Sequence, residues 1–415
     1  MSTKSKSKIL IALSMIGPGL FLMGYNIGTG SITTMAKAGA EHGMSLFWAL
    51  LLSCIFTYVL MVAYGQVTLV SGKTALFNIR SKIQYGSFLA IYIIIALVLG
   101  ELLALMGIMG ISVDLIKEAF NILGLNVHVS SLLITSVIAV SLLLLLWFGN
   151  YLVFEKILTG LVIIMILCFV FAFIMLKPDM GEIVRGLVPA IPHEAGTLGL
   201  IAAMAGTTCS AAVFVIRSIV VSEKGWTTEH LKNEKRDAFV SSFLMLFLSA
   251  IIMAVSAGTL HLMGLKLSTT VEMIQLFKPL GGKLASIILI LGVLGAALST
   301  IFPIILIAPW LICDYTQQPK NMKSPMFRIL SAVGIVIGAC FLFIDRNPPA
   351  IMIFSQAFQA LILPAVTIPI FFLINKKSVM GENTAKWSMN VGIICVFLFA
   401  LLTSYFAIVD LFSMI

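Results

Sequence analysis

Long apolar runs, most of them about the length that crosses a bilayer, alternate with short polar segments from one end of this chain to the other. A hydrocarbon core about 30 Å thick needs about 20 residues of apolar helix. On that ruler about eleven spans are predicted, at 9–40, 44–71, 85–111, 129–149, 153–176, 196–221, 238–262, 282–313, 327–344, 350–374 and 387–412. The first run exceeds a cleavable signal, because Met23 to Ala40 continues straight into more membrane sequence. The longest polar stretch, Ser222 to Asp237, is too short for a domain. The pattern therefore predicts an all-α, polytopic membrane protein whose residues 1–415 form one transmembrane domain.

Two of the spans are interrupted. Span 1 carries Ile27-Gly28-Thr29-Gly30-Ser31-Ile32-Thr33-Thr34 at its middle, and span 6 carries Ala205-Gly206-Thr207-Thr208-Cys209-Ser210-Ala211-Ala212. Taken singly, such clusters of small residues read as helix-packing faces. They lie five spans apart, however, so spans 1–5 and 6–10 form two halves of opposite topology. That spacing predicts inverted repeats, about 9–176 and 196–374, with an extra helix at 387–412. Both broken helices are then expected to be unwound near 28–31 and 207–211, facing one another at a midplane substrate site.

Composition narrows the class. With 60% hydrophobic and 10% charged residues, and a mean hydropathy of +1.12, most of the chain must face lipid. The net charge of +9 is scattered between apolar runs, so nucleic acid is excluded as a partner and membrane orientation explains the charge better. With a cytoplasmic N-terminus, 17 of the 26 Lys and Arg lie inside (4–8, 73–82, 156, 224–236, 320–328 and 376–386) and 7 outside, Lys37 and Arg217 being intramembrane. The positive-inside rule thus predicts a multi-pass cell-membrane protein with its N-terminus cytoplasmic and its C-terminus outside. The six cysteines lie singly, with neither metal-ligand spacing nor a disulfide framework. No His-Glu-x-x-His, no paired intramembrane aspartates, no Gly-x-Ser-x-Gly and no phosphate loop is present, so neither an enzyme nor a cofactor is expected. A channel or receptor would explain the spans but not two matched interruptions.

The order of several short motifs resembles the Nramp family. Gly17-Pro18-Gly19 opens span 1 and Ala38-Gly39-Ala40 closes it; Ser71-Gly72-Lys73 ends span 2. Gly186-Leu187-Val188-Pro189, then Ser355-Gln356, Leu363-Pro364, Ile368-Pro369 and Met380-Gly381 follow in the family's order. Glu155 and Lys156 match its pattern at the start of span 5. The resemblance implies a LeuT-type fold and transport of a divalent metal ion, coupled to protons as a symport. The family's Asp-Pro-Gly-Asn falls on Gly28-Thr29-Gly30-Ser31, and its Met-Pro-His on Ser210-Ala211-Ala212. Its second helix 6 histidine falls on Arg217, and its Asp-x-x-Glu on Val98 and Glu101. Gln356 keeps the family's helix 10 glutamine.

The usual metal ligands are therefore replaced. The candidate binding residues are Gly28, Thr29, Gly30, Ser31, Thr207, Thr208, Cys209, Ser210 and Gln356, of which Cys209, as a thiolate, offers a soft ligand or else simply packs. The same glycines, hydroxyls and half-helix N-termini suit a small carboxylate or amino-acid-like solute. Glu101 is the acid set deepest in an apolar run, which marks it as a proton or ion-coupling residue or as half of a structural pair. Arg217 is expected to partner it or to snorkel to the headgroups.

Overall fold

The computed structural model describes residues 28–124, 129–148, 151–176, 178–275, 278–321 and 323–413. The first half of span 1, with Gly17-Pro18-Gly19, and His128 lie outside the described residues, as do the side chains of Glu155 and Lys156.

Among the described residues the chain is helical with no strand. The long helices are α1 (Thr29–His42), α2 (Phe47–Ser71), α3 (Gly86–Ile122), α4 (Ser131–Phe148), α5 (Tyr151–Leu176) and α6 (Thr197–Thr208). They continue with α7 (Ala211–Glu223), α8 (Leu231–Ser256), α9 (Lys278–Thr316), α10 (Pro325–Ala339), α11 (Pro348–Asn375) and α12 (Trp387–Ser413). Each predicted span corresponds to one of these, and span 6 corresponds to the pair α6 and α7. Among the described residues nine stretches, with α6 and α7 counted together, are long and apolar enough to cross a membrane.

Local chemistry sets the boundaries. Gly72 ends α2 in the left-handed region (φ 65°), where a side chain would be strained, and donates its N–H to Thr68 O at 3.0 Å. Ser324 caps α10 by accepting from Phe327 N, with Pro325 at the first helical position.

The side-chain period decides which face meets lipid. On α3, Phe88, Ile91, Tyr92, Ile95 and Leu99 are exposed, while Ala90, Ile93, Leu97, Glu101 and Ala104 on the opposite stripe are buried. Glu101 is thereby carried into the protein by the register of its own helix. At the centre of the bundle the apolar window of α6–α7 is buried throughout, ringed by α1, α2, α11 and α12.

Two contacts tie α6, α11 and α12 together. Pro364 within α11 has no N–H to offer the Ala360 carbonyl, and Ser404 of α12 donates to that oxygen at 3.0 Å instead. Asp410 of α12 accepts from the Gly199 N–H in the first turn of α6, where a helix has donors to spare. α6 also meets α11 backbone to backbone. A Cβ at Gly206 would stand 1.8 Å from the Gln356 carbonyl oxygen. Replacement of Gly206 by alanine must push the two helices apart, so Gly206→Ala is expected to cost about 1–3 kcal/mol. Thermal unfolding of the purified protein reads this directly, and an unchanged melting temperature would contradict the close approach.

Candidate functional site

The break in span 6 is short. Thr208 ends α6, Cys209 stands as its C-cap (φ −102°, ψ 50°), and Ser210 is extended (φ −68°, ψ 128°) before α7 begins at Ala211. The expectation of an unwound 207–211 is corrected to Cys209 and Ser210. Thr208 stays helical because its hydroxyl bonds back to the Met204 carbonyl. Ending a helix at this depth strands carbonyls that no water can reach. The Thr57 hydroxyl of α2, its one hydrogen shared with Ser53 O at 2.7 Å, reaches one of them, Thr208 O, at 2.9 Å. In span 1, Gly28 is extended (ψ −171°) and caps α1, which is helical from Thr29 onward. Thr29, Gly30 and Ser31 therefore lie in the first turn rather than in an unwound stretch. The two clusters do meet: Ser31 Oγ and Thr207 Oγ1 are 3.0 Å apart.

Between them lies a polar cavity of about 30 Å³. It is lined by Gly28, Gly30, Thr207, Ser210 and Gln356 from the predicted set, with Glu101 joining them from α3. Ser31 adjoins it through Thr207. Thr29 and Thr208 are buried but do not line it. Cys209 does not line it either. Its thiol faces α2, against the Thr57 hydroxyl and Cys54, so of its two expected roles the arrangement favours packing over that of a soft ligand.

Three polar or polarisable lining residues escaped sequence reasoning: Thr300 on α9, and Met352 and Gln359 on α11. Met352, Gln356 and Gln359 are spaced i, i+4 and i+7, one stripe of a helix. Extending that spacing outward from Gln356 would have found the other two. Met352 restores a thioether to the cavity from a different helix than expected, with its Cε pressed against Gly30.

Glu101 is 4% exposed, and Gln359 Nε2 donates to its Oε1 at 2.7 Å. Arg217 is not its partner. It is fully buried, so it does not snorkel, and it donates from Nε to Glu234 Oε1 at 2.8 Å and from Nη2 to Asp237 Oδ2 at 2.9 Å. The expected coupling role of Arg217 is thus corrected to a tie between α7 and the first turns of α8. Among the described residues no group of three or more His, Cys, Asp or Glu is placed to hold a metal ion. Any cation in the cavity relies on one carboxylate, amide and hydroxyl oxygens, and a thioether.

A helix broken beside a buried polar cavity, in a bundle of this topology, is the architecture of a membrane carrier. Residues 19–410 match the family model described as natural resistance-associated macrophage protein-like, Nramp, and the chain belongs to that family. It is 22% identical over 407 residues to the divalent metal cation transporter MntH of Vibrio campbellii, covering 97% of this chain and 92% of the relative. To the Nostoc sp. MntH it is 24% identical over 385 residues, covering 89% and 85%. Among solved structures, the Eremococcus coleocola manganese transporter bound to an aromatic bis-isothiourea compound superposes with TM-score 0.72 at 15% identity, covering 99% of this chain and 89% of that one. MhsT in complex with L-phenylalanine superposes with TM-score 0.63 at 14% identity, covering 95% and 98%. The overall fold is therefore the one these solved transporters share.

Two substitutions test the site. A Cβ at Gly28 would stand 2.3 Å from Thr300 Oγ1. Restoring the family's aspartate as Gly28→Asp is therefore expected to lower the melting temperature, and adding Thr300→Ala to recover most of the loss. Equal stability of the single and double variants would show that Thr300 yields freely. Arg217→Leu leaves two carboxylates buried without their cation and should cost about 3–5 kcal/mol. Replacing all three charges by leucine should restore much of that, as read by thermal unfolding.

Proposed function

We propose that this chain is a secondary transporter that carries a divalent metal ion and couples its movement to protons at Glu101. The cavity carries the choice of cargo. A volume of about 30 Å³ admits one or two waters or a largely dehydrated ion, while organic ligands occupy pockets several-fold larger. Relatives named as divalent metal cation transporters support the same reading. The donor set then sets the kind of metal. One carboxylate leaves a divalent ion half compensated, which disfavours hard ions that depend on several anionic oxygens. The Met352 thioether adds a polarisable donor, which favours softer ions such as Cd²⁺.

Glu101 supports proton coupling by position: an intramembrane carboxylate that faces the cavity is placed to exchange protons with it. The excess of Lys and Arg on one set of loops supports a cytoplasmic N-terminus and an external C-terminus in the cell membrane. Two inverted halves, about 9–176 and 196–374, would then rock about the cavity, with α12 outside the repeat.

Proteoliposomes loaded with a metal-quenched dye test the reading. Cd²⁺ and Mn²⁺ entry should be saturable and should respond to an imposed pH gradient, and Glu101→Gln should abolish that response. Met352→Leu should weaken Cd²⁺ transport about tenfold relative to Mn²⁺, roughly 1.4 kcal/mol. Accumulation of an amino acid or small carboxylate in place of either metal would reassign the cargo to an organic solute. Flux that never saturates would make the protein a channel.

A further inference from the structure

Where α7 meets the start of α8, a charge cluster lies apart from the cavity and takes no part in the transport reading. Arg217 of α7 and Glu234 and Asp237 of α8 are all buried. One guanidinium thus faces two carboxyl groups, which leaves one acid too many. Arg217 donates from Nε to Glu234 Oε1 at 2.8 Å and from Nη2 to Asp237 Oδ2 at 2.9 Å. Nε and Nη2 form one edge of the guanidinium plane, so the two acids, one turn apart on α8, are held side by side. The second oxygen of each, Glu234 Oε2 and Asp237 Oδ1, is buried with no hydrogen-bond partner among the described residues, as is Arg217 Nη1.

We propose that this cluster is a proton-binding site, separate from the cavity, in which Glu234 carries the proton on Oε2. Charge and valence agree. A carboxylate without a cation of its own is costly out of water, and taking up a proton removes the cost. Two ionised carboxylates offer acceptors only, so neither leftover oxygen can satisfy the other. A proton on Oε2 makes it a donor, and Asp237 Oδ1 is the acceptor beside it. One proton then pairs both oxygens and leaves Arg217 and Asp237 as a matched ion pair. α2 closes the site on one side. A Cβ at Gly65 would stand 1.8 Å from Glu234 Oε1, so no side chain or hydrated ion fits between that acid and α2.

Among the described residues no further cation pairs with Glu234 or Asp237. α2 carries no charged residue between Phe47 and Ser71. α1 meets α8 near Met253 and Ser256, at its far end, and its charged residues Lys37 and Glu41 pair with each other at 3.5 Å. On α7, Glu223 pairs with Lys320 at 3.0 Å, and the exposed Lys224 holds its ammonium 5.0 Å from the centre of the Trp226 ring. In the turn before α8, Glu229 is exposed and His230 Nδ1 accepts from Thr227 N at 3.2 Å. The side chains of Glu155 and Lys156 on α5, which packs on α8, lie outside the described residues. Lys232, Lys235 and Arg236 are exposed on the other face of α8, which sets Glu234 at the level where the helix meets water, ahead of the apolar span. Burial raises the Glu234 carboxyl above its ordinary range against the pull of Arg217, and the Asp237 charge adds to the rise.

Infrared spectra of the purified full-length protein test the site, because a protonated carboxyl absorbs apart from a carboxylate and shifts in D₂O. At neutral pH the wild type should show an acid band that Glu234→Gln lacks. Asp237→Asn should lose the same band, because Glu234 is then the only counter-ion of Arg217 and must ionise. Thermal unfolding supplies a second readout. A carboxyl that holds its proton more tightly when folded stabilises the protein at low pH, and that stability is lost as pH rises through its folded pKa. Glu234→Gln mimics the protonated acid, so its melting temperature should match the wild type at acid pH and exceed it as the pH rises. A wild type whose acid band persists unchanged in both variants would overturn the site. So would a Glu234→Gln protein destabilised by the same margin at every pH. Neither result touches the metal-transport reading, which rests on the cavity.

Discussion

A helix that stops inside a membrane leaves peptide groups that only the protein can satisfy, and this constraint organises the centre of the molecule. The carbonyl of Thr208 survives at the break because Thr57 reaches it from the neighbouring helix at 2.9 Å. The same side chain lies against the Cys209 thiol, so one threonine both seals the broken end and turns the cysteine away from the cavity. The rest follows from that seal. With Cys209 withdrawn, the space at the break is walled by hydroxyls, amides, a thioether and a single carboxylate among apolar side chains, and its chemistry is mild. Proline in α11 poses the same problem on a smaller scale, and Ser404 of α12 supplies the missing donor.

Charge is segregated by the same logic. Arg217, Glu234 and Asp237 form a buried cluster where α7 meets α8, while Glu101 sits in the cavity with an amide for a neighbour. Burying ions is costly, and the two short bonds of Arg217 recover part of the cost, while Arg217 Nη1, Glu234 Oε2 and Asp237 Oδ1 stay buried without a hydrogen-bond partner among the described residues. Two acids of α8 are thus bound up in the cluster, while Glu101 of α3 lines the cavity.

Lipid makes the spans easy to read in the sequence, because a run long enough to cross the bilayer has few alternatives. The same clarity holds for the interruption of span 6, where glycine and hydroxyl residues gather, although the actual break at Cys209 and Ser210 is narrower than the cluster. The cavity was only half legible. Gly28, Gly30, Thr207, Ser210 and Gln356 follow from the interruptions and the family pattern, yet Met352, Gln359 and Thr300 depend on how α9 and α11 are rotated. Arg217 was misjudged for a related reason. Its partners Glu234 and Asp237 sit in a stretch that reads as a cytoplasmic loop, and only the fold carries the start of α8 down to meet it. Cys209 stayed open between ligand and packing because a side chain at a helix end can point to either side, and residue order is silent on which.

The two arms of span 6 belong to different company. α6 is pressed against α11 at Gly206 and held at its far end by Asp410, whereas α7 is riveted to α8 through Arg217. Anything that displaces one group of helices relative to the other must therefore bend the chain at Cys209 and Ser210, the one stretch between the arms without a helical ladder. The cavity lies on that fulcrum. Its walls come from both groups, Ser210 riding with one and Gln356 and Gln359 with the other, so a tilt of a few degrees would alter the spacing of its donors directly. In mechanical terms the molecule resembles pliers whose jaws are set at the pivot, where a small rotation of long handles delivers a short, forceful change of grip.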